Sequence, residues 1–572
     1  MGQAGSSFFW PGRDPEARGA GKTLEKARRH FMRSVDDSGF NWLVLIVAAS
    51  GFFTDSYNLF ASNVILPALS YVYWGEGQHE TALYFNLATL VASAFGQLAF
   101  GYFADRYGRK SLYGIELIIV ITSTIGLLQC SNGISETVNG LTAHTWDIDG
   151  WIFFWRIIMG IGIGAEYPLS ACIAAEWSST EARGRMLATV FFMQPLGQLC
   201  AYGAGLTTLQ AFGDSKIEID KQWRYVVGIG TLPTLLALGF RIFMPESGRY
   251  TYEVLRTTPL QKIEPTGTRH DDSDASTRIQ QPENQDEVED QISWSKMWHF
   301  LYVEGHWADL FGTSMCWALL DFAFYGLGFS APSTLEKLWA YGPITDDATE
   351  KSIEVKLREN MRHGIFTFSI AAIAGSIFVI AIIDWVNRKH MLTFTFSLLT
   401  IVLALAAATF DKLFQKGELR IVLIMFWNLI SFLFSAGPNT LTFIIPAEVF
   451  PTKFRCTLYG FAAAFGKLGA VLVQIVILNI PSLRNDPNSS DIQYLLASYA
   501  GCMALGALCS HFFVPKVQRR SNAENTRRGC FCGTPSTPFY ANIPLQELPP
   551  EQTRWRRKPK ATDGEELRAL PA

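Results

Sequence analysis

Twelve apolar runs, each about 20 residues or longer, constrain this chain more than any other feature, because the connections between most of them are short, polar and often basic. A helix needs about 20 mostly apolar residues to cross the hydrocarbon of a bilayer, and a buried helix of a soluble domain rarely has an apolar run beyond about 14. The runs predict spans at roughly 41–72, 82–103, 111–130, 150–176, 184–211, 223–243, 306–332, 361–384, 390–410, 419–446, 455–480 and 491–514. Some exceed the membrane thickness, which implies tilt or extension beyond it. Composition agrees: of 572 residues 49% are hydrophobic and only 17% are charged, too few charges to cover a soluble body of that size. The expectation is an all-α, multi-pass membrane protein.

Six spans fall on each side of a long polar stretch, which divides the chain into a tail (1–40), a six-helix bundle (41–244), a linker (245–305), a second bundle (306–515) and a second tail (516–572). The linker carries the acidic run HDDSDASTRIQQPENQDEVEDQ, whose composition cannot build a core. The first forty residues have no apolar signal-peptide core, so the first span is expected to serve as the insertion signal. The net charge of −3 says nothing of partners, and no basic patch suggests nucleic acid. Several of the nine cysteines sit inside apolar runs and read as small filler; Cys530 and Cys532 form a lone CxC that is too little for zinc.

Lys and Arg concentrate in alternate loops: Arg106, Arg109 and Lys110; Arg183 and Arg185; Arg388 and Lys389; Lys453 and Arg455. The loops Gly75–Thr81 and Ser131–Gly150 have neither, so both termini are expected in the cytoplasm, in the plasma membrane of a cell. The sequon at Asn488 falls on the outer side of that topology. The two halves also repeat. Asp105-Arg106-Tyr107-Gly108-Arg109-Lys110 recurs 279 positions later as Asp384-Trp385-Val386-Asn387-Arg388-Lys389. Glu176, Thr180 and Arg183 recur 272 positions later as Glu448, Thr452 and Arg455. Matching acids and bases at matching spacing mark an internal duplication.

Those acids give the repeated segments a use beyond orientation. Asp105, Arg109, Glu176 and Arg183, with Asp384, Arg388, Glu448 and Arg455, are expected to pair as two clusters closing a cytoplasmic gate. The plainer reading, that the bases only obey the positive-inside rule, leaves the paired acids unexplained. Inside the spans, Asp55, Glu166, Asp321 and Lys467 stand out, since a charge at a helix centre costs at least about 2.5–3.5 kcal/mol. They could snorkel or form structural pairs, but Asp55 and Asp321 are short side chains in mid-run. Lys467 can hold an anion, with Tyr167, Gln194, Trp317, Tyr325 and Asn439 as neutral donors. Trp317, Asp321 and Tyr325 are spaced i, i+4, i+8 on one helix face.

The segment DRYGRK resembles a motif of the major facilitator superfamily. The segments GFFTDSYNLF, GIGIGAEYPLSACIAAEW, WALLDFAFYGLGF and GPNTLTFIIPAEVFPTKFRCTLYGFAAAFGKLGA, with PESGRYT after the sixth span, resemble the phosphate:proton symporters of fungi and plants within it. The resemblance spans nearly the whole transport core and excludes the linker and tails. It implies two pseudo-symmetric six-helix bundles, no cofactor and no metal, and phosphate contacts from Tyr167, Gln194, Trp317, Asp321, Tyr325, Asn439 and Lys467. It also implies a proton route through Asp55 and Glu166. Two positions depart from the family pattern: Asn58 stands where a second Asp is usual, and Ala165-Glu166 stands where Gly-Asp is usual. Related carriers of glycerophosphodiesters also have Glu-Tyr-Pro there.

The expected activity is import of inorganic phosphate with protons across a lipid bilayer, by alternating access. An ionised Asp321 beside a phosphate anion repels it, and a protonated one donates to it, so proton and phosphate favour each other's binding. Transport of a glycerophosphodiester or another organic anion is the alternative on the same scaffold. A nutrient receptor would not need gate charges and in-span acids together. A membrane enzyme would need a metal cluster, a nucleophile elbow or a phosphate-cradling loop, and the chain has none.

Overall fold

The computed structural model describes residues 41–74, 79–133, 135–138, 141–144, 147–179, 182–213, 215–242, 244, 294–329, 353–415, 419–480, 489–515, 518–520 and 540–542. Both tails for the most part, most of the linker with PESGRYT, Cys530 and Cys532, Thr180 and Asn488 lie outside the described residues.

Twelve long helices account for the predicted spans. They are α1 (Trp42–Trp74), α2 (His79–Tyr107), α3 (Ile115–Leu128), α4 (Ile148–Trp177), α5 (Arg183–Ala211) and α6 (Lys216–Ile242) in the first half. In the second they are α7 (Trp307–Phe329), α8 (Ile353–Ile382), α9 (Arg388–Gln415), α10 (Arg420–Val449), α11 (Arg455–Asn479) and α12 (Ser489–Phe512). Short helical pieces at Arg109–Leu112, Trp294–Trp298 and His299–Val303 and four short strands complete the regular structure of the described residues, the strands as the hairpin Ser135–Val138 with Leu141–His144 between α3 and α4, and Gln518–Arg520 with Tyr540–Asn542 after α12. Eleven helices are long and apolar enough to cross a membrane by composition alone. The twelfth is α5, which carries Gln194, Gln198, Thr207 and Thr208. Its polarity has a use, because Gln194 and Gln198 line an internal cavity.

The halves are built alike. In the first, α1 packs on α5 and α6, and α4 on α2 and α3; in the second, α7 packs on α11 and α12, and α10 on α8 and α9. Adding six to each helix number maps one set onto the other. The contacts between halves obey the same rule: α2 meets α11, and α8 meets α5. That is the pseudo-two-fold arrangement expected of a duplicated transporter.

Small residues let these helices approach closely. A β-carbon at Gly164 of α4 would lie 2.1 Å from the Ser93 carbonyl oxygen of α2, and one at Gly469 of α11 would lie 2.0 Å from that of Ala318 on α7. Between the halves, Gly101 faces the Cys456 carbonyl and Gly460 the Gln97 carbonyl, so α2 and α11 touch backbone to backbone.

Two irregularities shape the centre. Helix α10 breaks at Gly437, and a second helix begins at Pro438, whose missing N–H costs nothing at a first position. Asn439 follows in that first turn. Helix α8 opens into a π turn at Ile365–Ser369. Its Phe368 carbonyl accepts a hydrogen bond from Ser431 Oγ at 3.0 Å, which ties α8 to α10.

Candidate functional site

The centre of the molecule, between the halves, holds a buried ion pair. Lys467 on α11 donates to Asp321 Oδ2 at 3.0 Å and to the Tyr325 hydroxyl at 2.8 Å, both on α7. The i, i+4 spacing of Asp321 and Tyr325 puts both side chains over one turn facing α11. The ammonium also sits 5.1 Å from the Tyr167 ring centroid and 4.5 Å from that of Tyr325. Trp317 lies one turn earlier, its ring 6.4 Å from Tyr167 and 5.6 Å from Tyr459. Gly466 makes room for it, since a β-carbon there would be 2.5 Å from the indole.

Lys467 is therefore not an isolated cation awaiting an anion. It is neutralised by Asp321 across 146 positions of sequence, a pairing that spacing alone could not reveal. Beside it, Asn439 donates to Gln194 Oε1 at 2.9 Å, a hydrogen bond that joins the two halves. Gln194, Asn439 and Tyr325 line a cavity that spreads past Asn63, Gln198, Phe324 and Trp427. Asp321, Lys467, Trp317 and Tyr167 lie behind that lining, each less than 5% exposed.

At the end carrying the basic connections, seven of the eight expected charges come together with Arg185 in two clusters. The first cluster is Asp105, Arg109, Glu176 and Arg455: Arg109 lies 3.0 Å from Asp105 and 3.1 Å from Glu176, and Arg455 lies 3.5 Å from Glu176. The second is Asp384, Arg388, Glu448 and Arg185: Asp384 lies 2.5 Å from Arg185 and 3.6 Å from Arg388, and Arg388 lies 3.5 Å from Glu448. Arg455 thus serves the first half's acids, and Arg185 the second's. The reason is topological: α5 and α11 begin with these arginines and pack across the interface, on α8 and α2. Arg183 is buried at the head of α5. Backbone contacts complete the closure. Asp105 accepts from the Thr457 N–H and hydroxyl, each at 2.7 Å, and Arg109 donates to the Thr452 carbonyl at 2.7 Å. Burial pushes the Asp384 carboxyl above the usual carboxylate range, and Arg388 and Arg185 pull it back only in part.

The remaining in-span acids are in a separate place, inside the first half. Glu166 accepts two hydrogen bonds from Arg241 Nη2 of α6, at 2.6 and 2.8 Å. Arg241 also pairs with Glu116 of α3, and its guanidinium lies 3.8 Å from the Tyr113 ring centroid. Asp55 is buried nearby with neither carboxyl oxygen hydrogen-bonded to a described residue. Glu166 and Tyr167 are neighbours in sequence and so about 100° apart around α4, which turns Glu166 to Arg241 and brings Tyr167 to Lys467.

Arg241, Glu116 and Arg156 are three further in-span charges, as buried as Asp55, Glu166 and Asp321. The sequence carries their signal, since GIELIIVI, WIFFWRIIMG and LALGFRIFM each carry one charge flanked by apolar residues. Arg156 donates to Ser62 Oγ at 2.7 Å, fastening α4 to α1. Among the described residues no group of three or more His, Cys, Asp or Glu could hold a metal ion.

The family model for sugar (and other) transporters matches residues 43–329 and 350–527. The chain is 32% identical over 535 residues to the repressible high-affinity phosphate permease of Neurospora crassa, covering 88% of this chain and 90% of that one. It is 31% identical over 538 residues to the inorganic phosphate transporter PHO84 of Saccharomyces cerevisiae, covering 87% and 86%. In fold it is similar to the major facilitator superfamily proton:xylose symporter XylE bound to 6-bromo-6-deoxy-D-glucose, with a TM-score of 0.60 at 18% identity, covering 83% of this chain and 96% of that one. An inward-open form of XylE from E. coli gives a TM-score of 0.55 at 18% identity, covering 83% and 96%. A multi-pass transporter with this duplicated architecture and these relatives belongs to the sugar (and other) transporter family of the major facilitator superfamily, alongside the inorganic phosphate transporters of fungi and plants.

Proposed function

We propose that this chain imports inorganic phosphate together with protons, by alternating access between its two halves. The observation that carries the reading is the buried Lys467–Asp321–Tyr325 group between the halves, in a chain whose relatives of 31–32% identity are named as phosphate carriers. As it stands the ion pair is neutral and offers an anion no net attraction. Adding one proton to Asp321 breaks the balance: Lys467 keeps its charge, and the carboxyl becomes a donor. Tyr167, Tyr325, Gln194, Trp317 and Asn439 then supply neutral donors around a phosphate held by Lys467. Deprotonation restores the pair and expels the anion, so the site loads and unloads with the proton.

In this reading the basic end is cytoplasmic, as are both termini, and the membrane is the plasma membrane. The structure then corresponds to an outward-facing form, with residues 41–244 and 306–515 as the moving bodies, linked by 245–305. The eight acids and bases form the inner gate, and Asp55 exchanges the second proton. Moving a monoanion inward against 100 mV costs about 2.3 kcal/mol, which one proton cancels and a second reverses.

A diester-carrying alternative would lay the longer substrate along the apolar side of the cavity, past Phe324 and Trp427. Glu166, the residue shared with diester carriers, faces Arg241 rather than the cavity and does not favour it. The test is uptake of labelled phosphate into proteoliposomes with an acid exterior, challenged by unlabelled phosphate, arsenate and glycerophosphocholine. Inhibition by phosphate and arsenate alone supports the proposal. Inhibition by the diester alone overturns it.

A further inference from the structure

The Arg241 cluster lies outside the phosphate site and has its own logic. Three acids converge on one base: Glu166 by two hydrogen bonds, Glu116 by another pairing, and Asp55 through space from α1. The guanidinium and the Glu166 carboxylate are pressed against the backbone of Gly51, where a β-carbon would lie 1.6 Å from Arg241 Nη2 and 2.5 Å from Glu166 Oε1. Asp55 follows Gly51 by four residues, so it occupies the next turn on the same face of α1. The other titratable groups facing Asp55 are Tyr113 and Tyr167.

We propose that Arg241 is a positioning residue for proton coupling: it pins Glu116 and Glu166 as fixed carboxylates and leaves Asp55 the acid of this cluster that exchanges a proton. An acid held by two hydrogen bonds from a guanidinium must break an ion pair to accept a proton. Asp55 breaks nothing. The Glu-for-Asp change at position 166 fits the same geometry, because the longer side chain reaches the base on α6 with both oxygens. The cluster reports to the substrate site along α1 and α4. Phe52, one turn before Asp55, stacks edge-on against Tyr167 at 5.1 Å, and Tyr167 faces Lys467.

The inference rests on proton-driven phosphate uptake, so wild-type uptake is measured first; its absence would count against that reading rather than this one. The experiment is the external-pH profile of phosphate uptake in proteoliposomes for wild type, Arg241→Lys, Arg241→Met and Glu166→Gln, with folding checked by thermal unfolding in detergent. Removing the cation beside Asp55 strengthens its hold on the proton. Arg241→Met should therefore move the half-maximal pH upward by about one unit or more, lower turnover because release slows, and leave the KM for phosphate within about twofold of wild type. Glu166→Gln removes a negative charge and should move the profile the other way. Arg241→Lys keeps the charge and should hold the wild-type midpoint. If Arg241→Met does not fold, the opposed behaviour of Glu166→Gln and the constancy of Arg241→Lys carry the test. Slower uptake with an unmoved midpoint in every variant, or a midpoint moved the same way by both charge-changing substitutions, would overturn the proposal and leave Arg241 a structural tie.

Discussion

At the level of single residues, burial and partnership separate the acids that resemble one another in sequence. Asp321 is tied to Lys467, Glu166 to Arg241, and Asp55 to neither. Asp321→Asn keeps a donor and frees Lys467, so phosphate binding should persist within a fewfold of wild type while proton-driven accumulation disappears. Equilibrium binding and uptake on the same preparation check this. Lys467→Ala strands a buried carboxylate and removes the one cation among the described residues that hold the site. Affinity should fall by about 100-fold, since truncating one partner of a buried charge pair costs about 2–5 kcal/mol. Gly51→Ala should reproduce the Arg241→Met pH profile, because its methyl group would occupy the guanidinium's place. Each of the four in-span charges first singled out was legible as a lone ionisable residue in an apolar run. Their partners were not, because a helix sequence does not state which neighbour its polar face meets.

The helices were legible for a simpler reason: in a bilayer, apolarity and length decide existence, and both are properties of one segment alone. Even α5, the least apolar, was found between its basic start and its polar loop. What could not be read was which half α5 and α11 lean on, and so which cluster Arg185 and Arg455 join. The break in α10 was foreshadowed by Gly437-Pro438, but the π turn in α8 has no marker as plain. Close contact between α2 and α11 gives a test at this scale. A β-carbon at Gly460 would lie 2.3 Å from the Gln97 carbonyl, so Gly460→Ala should destabilise the closed basic end by about 1–3 kcal/mol. Cys172 and Cys456, both fully buried there, should become reactive toward a membrane-permeant thiol reagent, and uptake should slow. Unchanged labelling would show that α2 and α11 part elsewhere.

The whole molecule shows its duplication in contacts as clearly as in motifs, since the α2–α11 and α8–α5 seams exchange under the same rule that relates the halves. The duplication is not symmetric in charge. The first half holds Asp55, Glu116 and Glu166 around Arg241, and the second holds Lys467 with Asp321. Asn58, whose Oδ1 would lie 2.7 Å from a β-carbon at Gly230, marks where a further acid could sit, one turn from Asp55. Asn58→Asp should raise the charge moved per phosphate, measured as current against isotope uptake; an unchanged ratio would place that position off the proton route. The seal at the basic end has a bearing on energetics as well. It is made of ions, all but Arg185 stripped of water, not of hydrocarbon. A greasy plug would resist wetting, and the protein would rest in one form. Here every charge that loses a partner on opening gains hydration, so the loss and the gain largely offset. Such a closure behaves like a balance beam rather than a bolt, and the small free energy of one bound anion and its protons is enough to tip it.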